Sequence, residues 1–294
     1  MDYVTLSNGV AMPILGYGVY QVTPQECERC VLDALSVGYR SLDTAQSYYN
    51  EEQVGSAVRK SGVPRNEIFL TTKVWLENYG YDAARSSVLA SMNRLQTDYL
   101  DLVLLHQPFA DYYGAYRALE DLYTEGRVRA IGVSNFSSDR LVDLASFARI
   151  APMVNQVEMH PYHQQTEAKG WMDKYHVQAE AWAPFGEGRG GLFHDPVLKA
   201  IGQKYGKTPA QVILRWHLQR GVVVIPKSTH IERMRQNLDV FDFTLCQEDM
   251  DAIAALDKKS SAFFSHQDPN VVEWFVKMVD VRRAEHSSDA GTRN

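Results

Sequence analysis

Four side chains of this sequence could together deliver a proton at neutral pH: the phenol of Tyr48, the ammonium of Lys73, the carboxylate of Asp43 and the imidazole of His106. A cation beside a phenol favours the phenolate and lowers a pKa that starts near 10. A carboxylate holds that cation in turn. Singly, each residue has an ordinary structural explanation as a rim aromatic, a structural ion pair or a satisfied core histidine. Their placement argues for more. Tyr48 comes five residues after Asp43 in DTAQSYYNEE, while Asp43, Lys73 and His106 close the short strand-like runs YRSLDTA, IFLTTK and LDLVLLH.

Those runs belong to a series of eight. Asn135 closes AIGVSN, Glu158 closes VNQVE, Trp182 stands near the end of QAEAWAP, Lys227 closes VVVIPK, and the first run, LGYGVY, ends in Tyr20. Helical patterns at 24–37, 51–61, 82–96, 114–125, 137–148, 166–176 and 208–220 alternate with them, so the strands are predicted to run parallel. LVLL and VVVI lack strict alternation, as strands buried on both faces do. Polar residues gathered at the carboxyl ends of eight parallel strands predict an α/β (β/α)8 TIM barrel with its site on that rim. VTLSNGVAM at 4–12 reads as a hairpin closing the bottom, with Asn8-Gly9 in a type I′ turn. Additional helices in 183–221 and at 229–240, 247–257 and 269–279 leave room for a substrate rim. No linker divides the chain, so 1–283 reads as one unit, and the polar stretch 284–294 is predicted to be disordered.

With 294 residues, 45% hydrophobic and 22% charged, the composition is that of a globular protein. A net charge of −6 argues against general affinity for nucleic acid or anionic membranes. No apolar run reaches bilayer length, and MDYVTLSNG lacks the regions of a signal peptide. Together with three cysteines, too few for a disulfide framework, this predicts a cytoplasmic protein.

A second chemical cluster follows the eighth run. Thr229-x-x-Glu232 has the form of a capping box, and Lys227, Ser228 and Arg233 surround the positive end of the helix it would start. A phosphate site after the last strands recurs in barrels. By contrast, Gly186-x-Gly188-x-x-Gly191 fits the dinucleotide pattern without a βαβ unit around it. Cys27-x-x-Cys30 and His160-x-x-His163 lack the further ligands a metal site needs, and Asn135-Phe-Ser137 is a glycosylation sequon without a sign of secretion.

Over residues 4–283 the chain resembles the aldo-keto reductases, closest to their bacterial and prostaglandin-F-synthase-like branch. The resemblance rests on DTAQSYYNEEQVG, TTKVW, LLHQP, GVSNF, NQVEMHP, EAWAP and IPKSTHIERMRQN. It implies that Asp43, Tyr48, Lys73 and His106 form a catalytic tetrad and that the cofactor is NADPH. It further implies that Trp182 stacks on the nicotinamide and that Ser134, Asn135 and Gln156 bond its carboxamide. Gly18, Val19 and Asp43 would also meet the cofactor. Ala183, which stands where the family usually has serine, would begin the pyrophosphate contact with Phe185 and Gly186. Lys227, Ser228, Thr229, Arg233, Gln236 and Asn237 would hold the 2′-phosphoribose and adenine, with Gln236 where many members have glutamate. Tyr20, Tyr49, Trp75, Gln107 and Phe109 stand near the tetrad and would wall the substrate pocket with His106. A monomeric NADPH-dependent reductase of aldehydes and ketones follows, with Tyr48 as general acid. An NADPH-binding redox-sensing subunit would keep Lys227 and Arg233 but need not keep the tetrad.

Overall fold

Parallel strands joined by helical crossovers close on themselves here, and the register of their hydrogen bonds decides which side chains share a rim. The computed structural model describes residues 2–291, with side chains through Arg282. A hairpin, β1 (Tyr3–Thr5) and β2 (Ala11–Pro13), precedes the barrel strands. These are β3 (Tyr17–Gly18), β4 (Ser41–Asp43), β5 (Phe69–Val74), β6 (Leu102–Leu105), β7 (Ile131–Ser134), β8 (Val154–Glu158), β9 (Gln178–Trp182) and β10 (Val223–Val224). They pair in sequence order, all parallel, and the bridge Leu15↔Val224 joins the last to the first. Gly16 N donates to Val224 O at 2.8 Å and Val224 N to Ile14 O at 3.0 Å, so the sheet is closed. An (β/α)8 barrel results.

Helices α1 (Pro24–Val37), α2 (Glu51–Lys60), α3 (Tyr81–Leu95), α4 (Tyr112–Thr124), α5 (Ser138–Phe147) and α6 (Thr166–Lys174) fill the first six crossovers. After β9 come α7 (Pro196–Tyr205) and α8 (Pro209–Gln219), and after β10 come α9 (Ile231–Leu238), α10 (Gln247–Ala254) and α11 (Pro269–Gly291). Caps set several starts: Asp111 and Asp195 accept amides of α4 and α7, and Thr208 forms a capping box with Gln211 of α8. Gly55 lets α2 cross α3 closely, since a Cβ there would lie 2.5 Å from the Leu95 carbonyl. The strand residues of β5 to β8 are all buried, which explains their unbroken apolar runs.

Beneath the barrel, Arg65 and Arg129 grip the buried Asp101 at 2.8 and 2.7 Å, and the Asn8 amide donates to Arg129 O at 2.9 Å. The hairpin is thereby tied to the base, as expected, but its turn is not type I′. Only Gly9 has positive φ (86°), because Gly9 N bonds Leu6 O and Asn8 Oδ1 accepts Val10 N, closing a wider turn. At the other terminus, α11 continues through Gly291, so residues 284–291 are helical rather than disordered. No proline or glycine interrupts the chain between Pro269 and Gly291, so a helix nucleated on the barrel mouth can propagate through polar residues. The remainder of that stretch, 292–294, lies outside the described residues.

Candidate active site

Register brings the tetrad together. Gly18 pairs with Asp43, Asp43 with Thr71, and Lys73 with Leu104, so neighbouring strands end level and their last side chains face one rim. Tyr48 sits on a single 3-10 turn, Gln46–Tyr48, just above β4. Two amides brace that turn. Gln46 Oε1 accepts Trp75 N and Asn78 Nδ2, both at 2.9 Å, while Asn50 Nδ2 donates to Val19 O at 3.0 Å and its Oδ1 accepts the Thr44 hydroxyl at 2.7 Å.

Lys73 is fully buried. Its Nζ donates to Asp43 Oδ1 at 2.5 Å, Thr44 O at 3.0 Å and Tyr48 Oη at 3.3 Å, a complete set for an ammonium. Burial is the largest single influence and opposes the cation, yet the Asp43 charge, the Tyr48 phenol and the hydrogen bond to Asp43 together outweigh it and raise the Lys73 pKa. The Tyr48 phenol departs from expectation. Burial pushes its pKa up to about 12, and the Lys73 charge pulls against that without reversing it. The cation therefore limits a rise instead of producing a net fall. His106 is held well below its ordinary value by burial, with Lys73, His266 and Arg282 adding to the effect, so the ring is neutral near pH 7. Its Nδ1 lies 3.4 Å from Ser47 Oγ, and its ring meets Tyr48 and Trp75 edge-on at 5.6 and 5.0 Å.

Beneath the tetrad lies a buried carboxyl that the sequence did not single out. Gln156 Nε2 donates to Asp43 Oδ2 at 2.9 Å and to Glu180 Oε2 at 3.0 Å. Burial, then the Asp43 charge, raise the Glu180 pKa to about 8.

A cavity of roughly 630 Å3 opens over these residues, a size suited to small organic ligands. Of the tetrad, Asp43, Tyr48 and His106 line it while Lys73 stays below. Gly18, Ser134, Asn135, Gln156, Trp182, Ala183, Phe185, Lys227 and Arg233 also reach it, as do Tyr20, Trp75 and Gln107. Thr229 lies with Arg233 in a second groove beside it. Val19, Gly186, Ser228, Gln236, Asn237, Tyr49 and Phe109 do not line the cavity. Phe109 is buried behind Phe275, and Tyr49 carries the Arg282 guanidinium on its ring. The Thr229–Glu232 capping box does not form: the N-cap is His230, whose N–H is taken by Ser228 Oγ at 3.1 Å, and Glu232 pairs with Arg235 instead.

Asn135 fixes the Trp182 indole by accepting its N–H at 2.8 Å and donates to His106 O at 3.0 Å. Above it, six residues from Ala183 to Gly191 have positive φ, which explains why GEGRGG is an irregular loop rather than a helix start. Arg189 of this loop stacks 4.5 Å over Phe263 and donates to Ala262 O at 3.3 Å. Phe263 in turn meets Trp182 at 5.2 Å. Glu158 holds the same C-terminal loop, accepting Ser261 Oγ at 2.5 Å and Ala262 N at 2.7 Å. Phe263, Phe264, His266, Trp274, Phe275 and Arg282 thus complete the cavity wall. None was foreseen individually, although the aromatic density of AFFSH and EWFVKM was visible. Among the described residues no cluster suited to a metal ion occurs.

Residues 6–258 match the model of the aldo/keto reductase family. Glyoxal reductase of Bacillus subtilis is 50% identical over 259 residues, covering 87% of this chain and 93% of that relative. Methylglyoxal reductase DkgA of Escherichia coli is 42% identical over 258 residues, with 87% and 93% covered. Among solved structures, an aldo/keto reductase from Brucella melitensis has a TM-score of 0.84 at 44% identity, covering 87% of this chain and 99% of that one. One from Bombyx mori, in complex with NADP, has a TM-score of 0.86 at 33% identity, covering 90% and 95%. Barrel, rim chemistry and sequence agree, and the chain belongs to the aldo/keto reductase family.

Proposed function

We propose that the protein reduces aldehydes and ketones to alcohols with NADPH, and that Tyr48 is the proton donor. The observation that carries this is the Tyr48 phenol at 3.3 Å from a fully buried, Asp43-paired Lys73 at the floor of a ligand-sized cavity.

The rest of the cavity suits the cofactor. Lys227 and Arg233 line it without a carboxylate partner among the described residues, as 2′-phosphate ligands should. Trp182 offers an indole face with its N–H already satisfied. Gly18 lines the cavity and packs close to the last strand, since a Cβ there would stand 3.1 Å from Ile225 O. NADPH, when bound, supplies the hydride. The protein's own part is placement and charge. Neutral His106, its Nδ1 near the Ser47 hydroxyl, can present Nε2–H to a carbonyl oxygen. Tyr48 gives its hydroxyl proton to that oxygen as negative charge grows there, and the Lys73 ammonium beside it stabilises the phenolate left behind. The named activities of the Bacillus and Escherichia relatives support carbonyl substrates, and the Bombyx complex supports an NADP cofactor.

Loss of NADPH absorbance on adding glyoxal, methylglyoxal or simple ketones tests this. Tyr48→Phe removes one hydroxyl, so reduction should fall by orders of magnitude while NADPH still binds. A parent that oxidises NADPH with none of these carbonyls, or a Tyr48→Phe variant of near-parental turnover, would refute the proposal.

A further inference from the structure

Much of the cavity wall comes from chain beyond the segment that matches the family. That match ends at residue 258, whereas Phe264, His266, Phe275 and Arg282 follow it. α11 docks on the mouth through Phe275, whose ring lies 5.4 Å from Phe109 and 6.0 Å from Trp75. Arg282 comes seven residues later, on the same helix face. Its guanidinium carbon stands 5.3 Å from the Tyr49 ring centroid and 5.2 Å from that of Trp75.

Stacked on two rings, the guanidinium keeps its N–H edges for other partners. Nη1 is buried and has none among the described residues. Two other half-buried guanidiniums are held by carboxylates, Arg65 by Asp101 and Arg94 by Glu51, and Arg220 donates to the Gln164 carbonyl. Arg282 lines the cavity with no carboxylate in reach among the described residues. The Trp75 ring that carries it is also 5.0 Å from the His106 ring, so one indole separates the free cation from the reacting end.

The geometry points to an anion subsite: Arg282 takes the carboxylate of a substrate whose carbonyl lies at Tyr48 and His106. The favoured substrates are then aldehydes and ketones that carry a carboxylate across a short apolar or aromatic spacer. This rests on the carbonyl reduction proposed above. A planar guanidinium matches a carboxylate with two parallel hydrogen bonds. The neighbouring His266 is no competitor, because burial lowers its pKa to about 4 and leaves it neutral. Lys227 and Arg233 stand after β10, away from Trp75 after β5.

The test compares 4-carboxybenzaldehyde with 4-formylbenzamide, nearly the same shape without the charge, at saturating NADPH. The readout is the ratio of their kcat/KM values, in which any loss common to both cancels. A charge-assisted contact of this kind is worth roughly ten- to a hundredfold, so the parent should favour the acid by at least about tenfold. Arg282→Gln should bring the ratio near one, with Arg282→Lys between. Added NaCl should lower the parent ratio, which decides the matter even if a variant does not fold. A parent ratio near one, or a ratio retained in Arg282→Gln, overturns the subsite. If the amide is reduced as well as the acid, only the subsite falls. If neither aldehyde oxidises NADPH, carbonyl reduction falls with it.

Discussion

Asp43→Asn should separate the structural from the chemical role of the buried pair. The variant keeps shape and one hydrogen-bonding oxygen but leaves the Lys73 ammonium, fully buried, without its counter-charge. Removing one partner of such a pair costs about 3–5 kcal/mol. Burial, the largest single influence on Lys73, is then opposed only by Tyr48 and Glu180, and its pKa should drop from raised to depressed. Once neutral, Lys73 no longer restrains the Tyr48 pKa, so reduction should fall sharply at pH 7 and recover in part at lower pH, where the ammonium returns. Urea unfolding with and without Lys73→Met supplies the magnitude. The double variant, with both charges gone, should be within about 1 kcal/mol of the parent, giving a coupling of about 3 kcal/mol or more. Glu180 could partly replace Asp43 through Gln156, so adding Glu180→Gln to Asp43→Asn should worsen the loss. An Asp43→Asn protein that loses under about 1 kcal/mol and keeps the parental pH–rate profile would refute the reasoning.

Two further outcomes follow. Arg233→Ala should weaken NADPH binding roughly ten- to a hundredfold and NADH less, because Arg233 loses a 2′-phosphate contact as well as adenine stacking; tryptophan quenching titrations that show equal losses would assign Arg233 to the adenine alone. Glu180 has a folded pKa raised to about 8 against about 4.3 unfolded, so the native state binds the extra proton and this contribution to stability is lost as pH rises between those values. Relative to the parent, Glu180→Gln should therefore gain stability from pH 5 to pH 8 in urea melts, and a constant difference would show that Glu180 is already ionised in the native state.

The barrel and the tetrad were legible because one pattern encodes both: a strand buried on both faces reads as an apolar run, and its last residue is the one that reaches the rim. Asp43, Lys73 and His106 are such residues. What failed needed three dimensions. The direction of the Tyr48 shift depends on how much protein surrounds the phenol, which five residues of spacing do not state. The Thr229 cap was displaced by a Ser228 hydroxyl one residue back. Arg282 was invisible because its neighbours Tyr49 and Trp75 lie more than two hundred residues away along the chain.

The contact between Arg189 and the Phe263 loop has a kinetic consequence. It joins two segments that lie outside the barrel sheet, and one of them is a glycine-rich loop held by few backbone hydrogen bonds. Such regions open at far lower free energy than a core, on microsecond to millisecond timescales, while the strands below stay paired. Glu187, Gly188 and Phe263 line the cavity, so parting of the two segments widens its mouth. The rate at which a molecule enters or leaves is then governed by residues 186–191 and 261–264, several of which also line the cavity and add to its hold on what is inside.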